Sequence, residues 1–529
     1  MKSARKALLT IVSSLQYLAS QGLAVRGHYD DAESNLRQLL ELRANDIPEL
    51  QSWLRRSGYK WLSHEIFNEL LEMMAHDVLC SLTNEVREAG HYAVIMDETT
   101  DISVKEQVSI CFRIVTDKFE LQEFFCGLYN AADTKATTLF AILKDILCRF
   151  NLPIFMCRGQ CYDGAANMRG QHNGLQALVH EEEPRALYVH CMAHVLNLVL
   201  QDMSHKVNIC RDFLSVVTEL ISFVTSSPKR VGSFQALQVE DEATNLRKFC
   251  PTRWTLRGAS LRSVLLNYKE LIAFFRDLAH EERNDAGAKA NGFLKVLSKF
   301  DTYFMLKLLL LVFSRLETVN TALQKQTLTF DRTEKMISCV RDSLSELREG
   351  FAPFWSNTCA EAAELDVDEP SAPTRRERKT PRRYDSGSAG HVHSSIEDMY
   401  RHRFFEAVDA VRSSLDDRYP LSTWKHMAHI ERFLTGGEDS KYICEFYGND
   451  LEPRRLELHR DMLTDIAKQR NIPINKFQDT VELFSGASGE ELRTLLPEVA
   501  KLVKIALTIP VTSCTSERSF SCLRRIKTY

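Results

Sequence analysis

Two aspartates stand at the ends of short apolar runs: Asp97 closes YAVIM within MDETTD, and Asp163 follows a second such run within CYDGAANM. A carboxylate that emerges where an apolar strand ends is fixed at a sheet edge, and two of them brought together form a hard oxygen donor set. Such a set suits Mg²⁺ or Mn²⁺, which activate water and stabilise phosphoryl-transfer geometry. A third acid would complete the site. The competing reading is structural, because strand-end aspartates commonly accept turn hydrogen bonds or cap the next helix. Cys157, Cys161, Cys191 and His194 form a second ligand-type group, in CxxxC and CxxH arrangement, with donors that can hold zinc. Alternation along an unbroken strand puts Cys157 and Cys161 on one face. The plain alternatives are that Cys191 is a buried small hydrophobe and that Trp254, the aromatic in PTRW, is ordinary core.

The elements that must position these residues follow from pattern. Tyr92 to Met96, Gln107 to Thr116 and Leu121 to Tyr129 read as strands, apolar or alternating and rich in β-branched residues. Thr134 to Phe150 reads as a helix, with Leu139, Ile142, Leu143, Ile146 and Leu147 at helical intervals. A strand from Ile154 to Tyr162 leads to the small-residue turn Gly164, Ala165 and Ala166. A helix through Leu178, a strand from Ala186 to His190 and a helix from Val195 follow. The order βββαβαβα predicts a mixed sheet with helices packed on it. Residues 1–88 read as a helical N-terminal region, 89–209 as the first part of the α/β core, 210–499 as an all-helical domain and 500–529 as a closing segment. Leu261 to Leu278, Phe293 to Leu316 and Thr333 to Leu347 carry the helical pattern of the long domain. About 360–395 it is interrupted by an acidic stretch, TRRERKTPRR and a Ser, Gly and His run, which predict a disordered loop. Its basic cluster, 375–383, fits a nuclear-localisation patch, a phosphate contact or a solvated loop.

Composition narrows the classes. The 529 residues are 44% hydrophobic, enough for two or three cored domains. Sixty-seven basic against 71 acidic residues leave a net charge of −4, so any DNA contact must use local patches. None of the 14 cysteines precedes Cys80, which excludes a cysteine-based zinc finger from the first 79 residues. Their scatter, with no secretory signal, fits free thiols in a reducing cytosol or nucleus. The apolar run Phe304 to Phe313 is about half the length of a membrane span and contains Lys307, so a buried helix and no membrane span are predicted.

In order along the chain, MDETTD, YDGAANMRG, HCMAHVLNL, PTRWTLRG and TSERSFS are similar to the signature series of hAT-superfamily DNA transposases. The resemblance covers nearly the whole chain and is nearest to the subgroup of zinc-finger MYM-type and related transposon-derived proteins. It implies a ribonuclease-H-like α/β core, a mixed sheet with flanking helices, interrupted by a large all-α insertion domain. Asp97, Asp163 and Glu517 match the family's metal-binding acids, Glu517 returning on the closing helix to face the aspartates. Cys191 and His194 match a CxxH motif near the active site. Arg253 and Trp254 match the family's PTRW motif, which holds distorted DNA. The resemblance further implies Mg²⁺ or Mn²⁺, DNA as a partner, self-association through the insertion and C-terminal regions, and a nuclear location. The family's N-terminal zinc finger has no counterpart among the early residues, and Tyr529 comes soon after TSERSFS, so the dimerisation region is expected only in part. The expectation is a transposase-derived protein with dimerisation, DNA contact and metal-dependent strand cleavage and transfer. The alternative is a catalytically inactive, domesticated nuclear interaction or regulatory protein.

Overall fold

The computed structural model describes residues 2–27, 33–58, 60–238, 245–250, 254–325, 328–371, 394–419 and 422–526. The chain divides into two compact units, one of Met1–Cys191, Gln326–Thr329 and His426–Tyr529, the other of Met192–Lys325 and Phe330–Lys425.

The first unit is built on five strands: β1 (Tyr92–Thr100), β2 (Glu106–Val115), β3 (Leu121–Ala131), β4 (Cys157–Tyr162) and β5 (Leu187–His190), in the order β3-β2-β1-β4-β5. The first three form an antiparallel meander because their connections are tight turns. Asp101 Oδ1 accepts from the backbone N–H of Ser103 and Lys105 at 2.7 and 3.2 Å between β1 and β2. Thr116 O accepts from Phe119 N–H at 2.9 Å between β2 and β3. β4 and β5 join in parallel to β1 and to β4 respectively, each after a stretch containing a helix, Ala136–Arg149 and then Leu175–Glu182.

Period-two alternation divides the sheet into two faces. Tyr92, Val94, Met96, Val108, Ile110 and Phe112 pack with Leu139, Leu143 and Ile146 of the first crossover helix and with Leu175 and Val179 of the second. Ala93, Ile95, Asp97, Ser109, Cys111 and Arg113 therefore face the other way, and the chain's closing segment covers them. Buried Arg113 donates there to Leu507 O at 3.2 Å and to Leu328 O at 2.8 Å, while pairing with Glu123 at 2.9 Å. Gly159 lies on the same face, where a Cβ would come within 2.9 Å of Pro510 Cδ and 3.2 Å of Ile509 Cα. Only glycine admits so close a backbone.

β4 departs from the sequence expectation in two ways. Ile154–Met156 form a 3₁₀ turn, so the strand starts at Cys157. Cys157 then pairs with Tyr92 and Gly159 with Ala93, leaving Arg158 as the extra residue of a bulge. Cys157 thus joins the Tyr92 core, whereas Cys161, opposite Ile95, is on the other face. The expectation that Cys157 and Cys161 share a face is corrected. Arg158 is buried, and its guanidinium reaches Asp450 at 2.6 Å, which Arg185 also engages at 2.9 Å.

The helices Lys2–Ser20, Asn35–Ala44, Pro48–Arg55 and His64–Glu88 form a small core of their own from Ile11, Leu15, Leu36, Leu40, Leu50 and Phe67.

Among its described residues the second unit holds helices and no strand. Leu261 to Leu278 form two helices, Arg257–Leu266 and Tyr268–Glu281, divided at Asn267, whose Nδ2 donates to Ser263 O at 2.7 Å. The apolar run around Phe304 is buried within helix Phe300–Leu323, and Lys307 escapes burial by pairing with Glu361 at 2.6 Å. No described helix is long and apolar enough to cross a membrane. The segment expected to be disordered from residue 360 is ordered at both margins. Helix Phe351–Glu364 runs into it, Asp368 N–H donates to Ser298 O at 2.8 Å, and Ser395 caps helix Ile396–Arg418. The basic cluster at 375–383 lies outside the described residues.

Sequence pattern assigns all of 210–499 to one helical domain, yet the compact helical unit spans 192–425 and residues from His426 onward join the sheet-containing unit. Periodicity identifies a helix's apolar face without saying which core receives it. Helix Pro497–Thr508 buries Leu502, Val503, Ile505 and Ala506, and its Leu507 carbonyl accepts twice from Arg113 of β2.

Candidate functional site

The parallel pairing of β1 with β4 decides where the two aspartates lie. Ile95 is opposite Cys161, so two residues further on Asp97, still within β1, lies beside Asp163, which follows the last residue of β4. Asp97 Oδ1 accepts from Glu98 N–H at 3.0 Å, and Asp163 Oδ1 accepts from Ala165 N–H at 3.1 Å. Asp163 thus makes the turn contact expected of a structural residue, whereas Asp97, inside β1, accepts from the next residue of its own strand, each using one of its two oxygens. Asp97 is only 9% exposed. Burial pushes its carboxyl well above the usual range, the charges of Glu517, Asp163 and Cys191 push it further, and the Glu98 N–H opposes them. Glu98, which the sequence pattern does not single out, adds another acid. It accepts from Asn167 Nδ2 at 2.8 Å, its Oε2 is buried without a partner, and burial with the Asp163 charge raises its pKa.

Glu517 arrives on helix Cys514–Ile526. Ser516 and Ser519, one turn apart, seat the helix on the sheet: Ser516 Oγ donates to Ile95 O at 3.4 Å, and Ser519 Oγ bonds Ser109 Oγ at 2.8 Å. Ser109 is the cross-strand partner of Asp97, so this seat brings Glu517 to the aspartates. Hard oxygen donors gathered around a buried carboxyl, each raising the energy of the others' charge, fit a divalent cation, which would relieve that repulsion.

Cys191 directly follows β5, and its N–H donates to Tyr162 O at 2.9 Å. Its Sγ accepts from Ser513 N–H at 3.2 Å. Cys514 and Glu517 share a helix face by their spacing of three. The sulfurs of Cys191 and Cys514 and a carboxylate oxygen of Glu517 all lie within 4.8 Å of one another. The Cys514 thiol donating to Cys191 lowers the Cys191 pKa, with help from Ser513, and the same bond holds Cys514 well above the ordinary thiol range. Sequence pattern does not single out Cys514, although its position one turn before Glu517 is visible there.

The CxxxC and CxxH zinc arrangement is not assembled, since the β4 bulge puts Cys157 on the far face, and among the described residues Cys191 is grouped with Cys514 and Glu517. His194 belongs to helix Met192–Lys206 of the helical unit. Trp254, also in that unit, opens a 3₁₀ turn anchored by Thr255 N–H donating to Asn197 Oδ1 at 3.1 Å. The Arg257 guanidinium covers one face of the Trp254 ring at 3.5 Å. Arg253 lies outside the described residues.

Comparison with known proteins gives this arrangement a lineage. A family model described as "ZMYM1/FAM200, RNase-like domain" matches residues 1–174, which include Asp97 and Asp163. A second, "hAT family C-terminal dimerisation region", matches residues 461–529, which include Cys514 and Glu517. That match begins well before TSERSFS, where sequence motifs alone place the start of the dimerisation region. The "52 kDa repressor of the inhibitor of the protein kinase" of mouse and that of human are each 20% identical to the chain over 571 aligned residues, covering 100% of it and 72% of the relative. The two family models and these long alignments agree, and the chain is similar to hAT-transposase-derived proteins, with residues 461–529 matching a hAT dimerisation region.

Proposed function

We propose that this protein keeps a ribonuclease-H-like core with an inserted helical domain, in which Asp97, Asp163 and Glu517 form a divalent-metal site for cleaving and joining DNA strands. The observation that carries the reading is the buried Asp97 carboxyl, surrounded by acids from two parallel strands and from a helix near the other end of the sequence. Acids gathered at such a distance in sequence, one of them buried against its own charge, are expensive for a fold that has no use for them. Mg²⁺ or Mn²⁺ bound there would supply Lewis-acid activation of water and neutralise charge on a phosphodiester. The chain's own part is positional: Glu98 and Ala165 N–H groups hold the aspartates by one oxygen each, and the serines of helix Cys514–Ile526 hold Glu517 over them. Arg253 and Trp254 are the proposed DNA contacts, Trp254 stacking an unpaired base once Arg257 yields or on its other face. The proposed location is the nucleus, and the proposed assembly is a self-associated one, supported by the dimerisation region.

The test is cleavage of DNA bearing the ends of the related element, in Mn²⁺, by wild type and by Asp163→Ala. Cleavage is expected from the wild type and abolished in the variant, and cleavage surviving Asp163→Ala would sink the assignment. A second reading is favoured by the relatives' name, which describes a repressor. On that reading the protein acts by regulatory contact, and it self-associates without any dependence on metal.

A further inference from the structure

Glu517 stands between donors of two chemistries. Towards β1 and β4 its neighbours are carboxylates, and towards β5 they are the sulfurs of Cys191 and Cys514. We propose that Cys191, Cys514 and Glu517 form a second metal site, selective for zinc, and that zinc bound there withdraws Glu517 from the carboxylate cluster. The zinc site stands on its own geometry, whereas the withdrawal rests on the function proposed above.

Zinc takes thiolate sulfur at about 2.3 Å and carboxylate oxygen at about 2.0–2.2 Å in a tetrahedron, so donors on one ion lie within about 4 Å of each other. Three donor atoms already within 4.8 Å need only small side-chain rotations to meet that geometry. The two sulfurs are buried, at 0% and 3% exposure, while Glu517 is partly exposed, which leaves an entry side and a fourth position for water. The Ser513 N–H on Cys191 Sγ at 3.2 Å orients a thiolate ligand without competing for the metal. Soft sulfur selects zinc over Mg²⁺, and the all-oxygen cluster around Asp97 does not discriminate in that direction. Because the sulfurs come from the residue that directly follows β5 and from the first turn of the closing helix, one ion would fasten the helix that carries Glu517.

The full chain, stripped of metal, would be titrated with Zn²⁺ against a chromophoric chelator and, in parallel, with Co²⁺ under an absorption spectrometer. One equivalent of zinc and a cobalt–thiolate charge-transfer band are expected. Cys514→Ser and Cys191→Ser should weaken zinc binding by about tenfold or more and diminish the band. Glu517→Gln should weaken zinc while keeping the band, and Asp97→Asn should keep both. Metal-free melting of each variant shows that it is folded, and Cys514→Ala repeats the test should the serine disturb the helix. A wild type that takes up no zinc, or a folded Cys514→Ser and Cys514→Ala that bind it as tightly as wild type, would overturn the site. One equivalent of zinc should also suppress any further rise in melting temperature with Mn²⁺, and Cys514→Ser should restore it. A Mn²⁺ response undiminished by zinc overturns the withdrawal alone, and the absence of any Mn²⁺ response speaks against the carboxylate site while the zinc titration stands.

Discussion

At the scale of single residues, Asp97 concentrates the account. Its carboxyl is raised by burial and by Glu517 and Asp163, so the folded protein holds a proton that the unfolded chain releases near the ordinary value of 3.8. The associated stability is fully present below that value and is lost as pH rises through the folded pKa. Asp97→Asn removes the penalty. Without divalent metal it should melt above the wild type at neutral pH, by about 1.4 kcal/mol for every factor of ten by which folding weakens the acid, and the gap should close on acidification below about pH 4. Equal melting at neutral pH would show that folding does not weaken Asp97 as an acid. Asp97 and Asp163 were legible in the sequence because each ends an apolar run. Glu517 was not, since nothing local in TSERSFS tells which strand its helix will meet, and only resemblance supplied it. Glu98 and Cys514 were missed because their chemistry depends on tertiary neighbours, Asn167 for one and Cys191 for the other.

At the scale of elements, the site depends on one bulge and one glycine. Arg158, the extra residue of β4, restores a register in which Asp97 and Asp163 emerge together, and its buried guanidinium is held by Asp450. Burial acts to raise the Asp450 pKa, but His91 at 3.9 Å and the hydrogen bonds from Arg158 prevail and bring it to about 2. This depressed pKa contributes stability above the ordinary value of 3.8 that is lost as pH falls through about 2. Asp450→Ala removes the two-pronged partner of buried Arg158, leaves it only the more distant Glu183 carboxylate at 3.7 Å, and should cost about 3 kcal/mol in a denaturant titration at neutral pH. Little change there would mean that solvent reaches Arg158. Gly159→Val should push Ile509 and Pro510 off the sheet, destabilise the protein by about 1–3 kcal/mol and loosen the seating of Glu517. Unaltered stability and metal binding in that variant would contradict the close approach. The five strands were readable from alternation and β-branching, but the bulge was not, because nothing in the pattern of a single strand marks which residue its neighbour will leave unpaired.

At the scale of the whole molecule, the chain order of the elements was legible and their grouping was not. Helices after His426 have the same period as those before it, and only burial against β2 shows which core they serve. The match to a dimerisation region over residues 461–529 carries an expectation for solution behaviour. Light scattering should give a mass above one chain, and the melting temperature should rise with protein concentration, as for any association that favours the native state. A single-chain mass and a concentration-independent melt would contradict self-association. The balanced charge of −4 limits DNA affinity to local patches, so binding should show a shallow salt dependence for a protein of this size.

The central claim, that three acids from separate elements make one divalent-metal site, is tested most directly by thermal melting in a Mn²⁺ titration of wild type, Asp97→Ala, Asp163→Ala and Glu517→Ala. Ligand at about one hundred times its dissociation constant stabilises a native state by about 2.7 kcal/mol. A saturable rise is expected in the wild type and is lost in all three variants. A wild type indifferent to Mn²⁺, or a rise preserved in any one of the three, would contradict the claim.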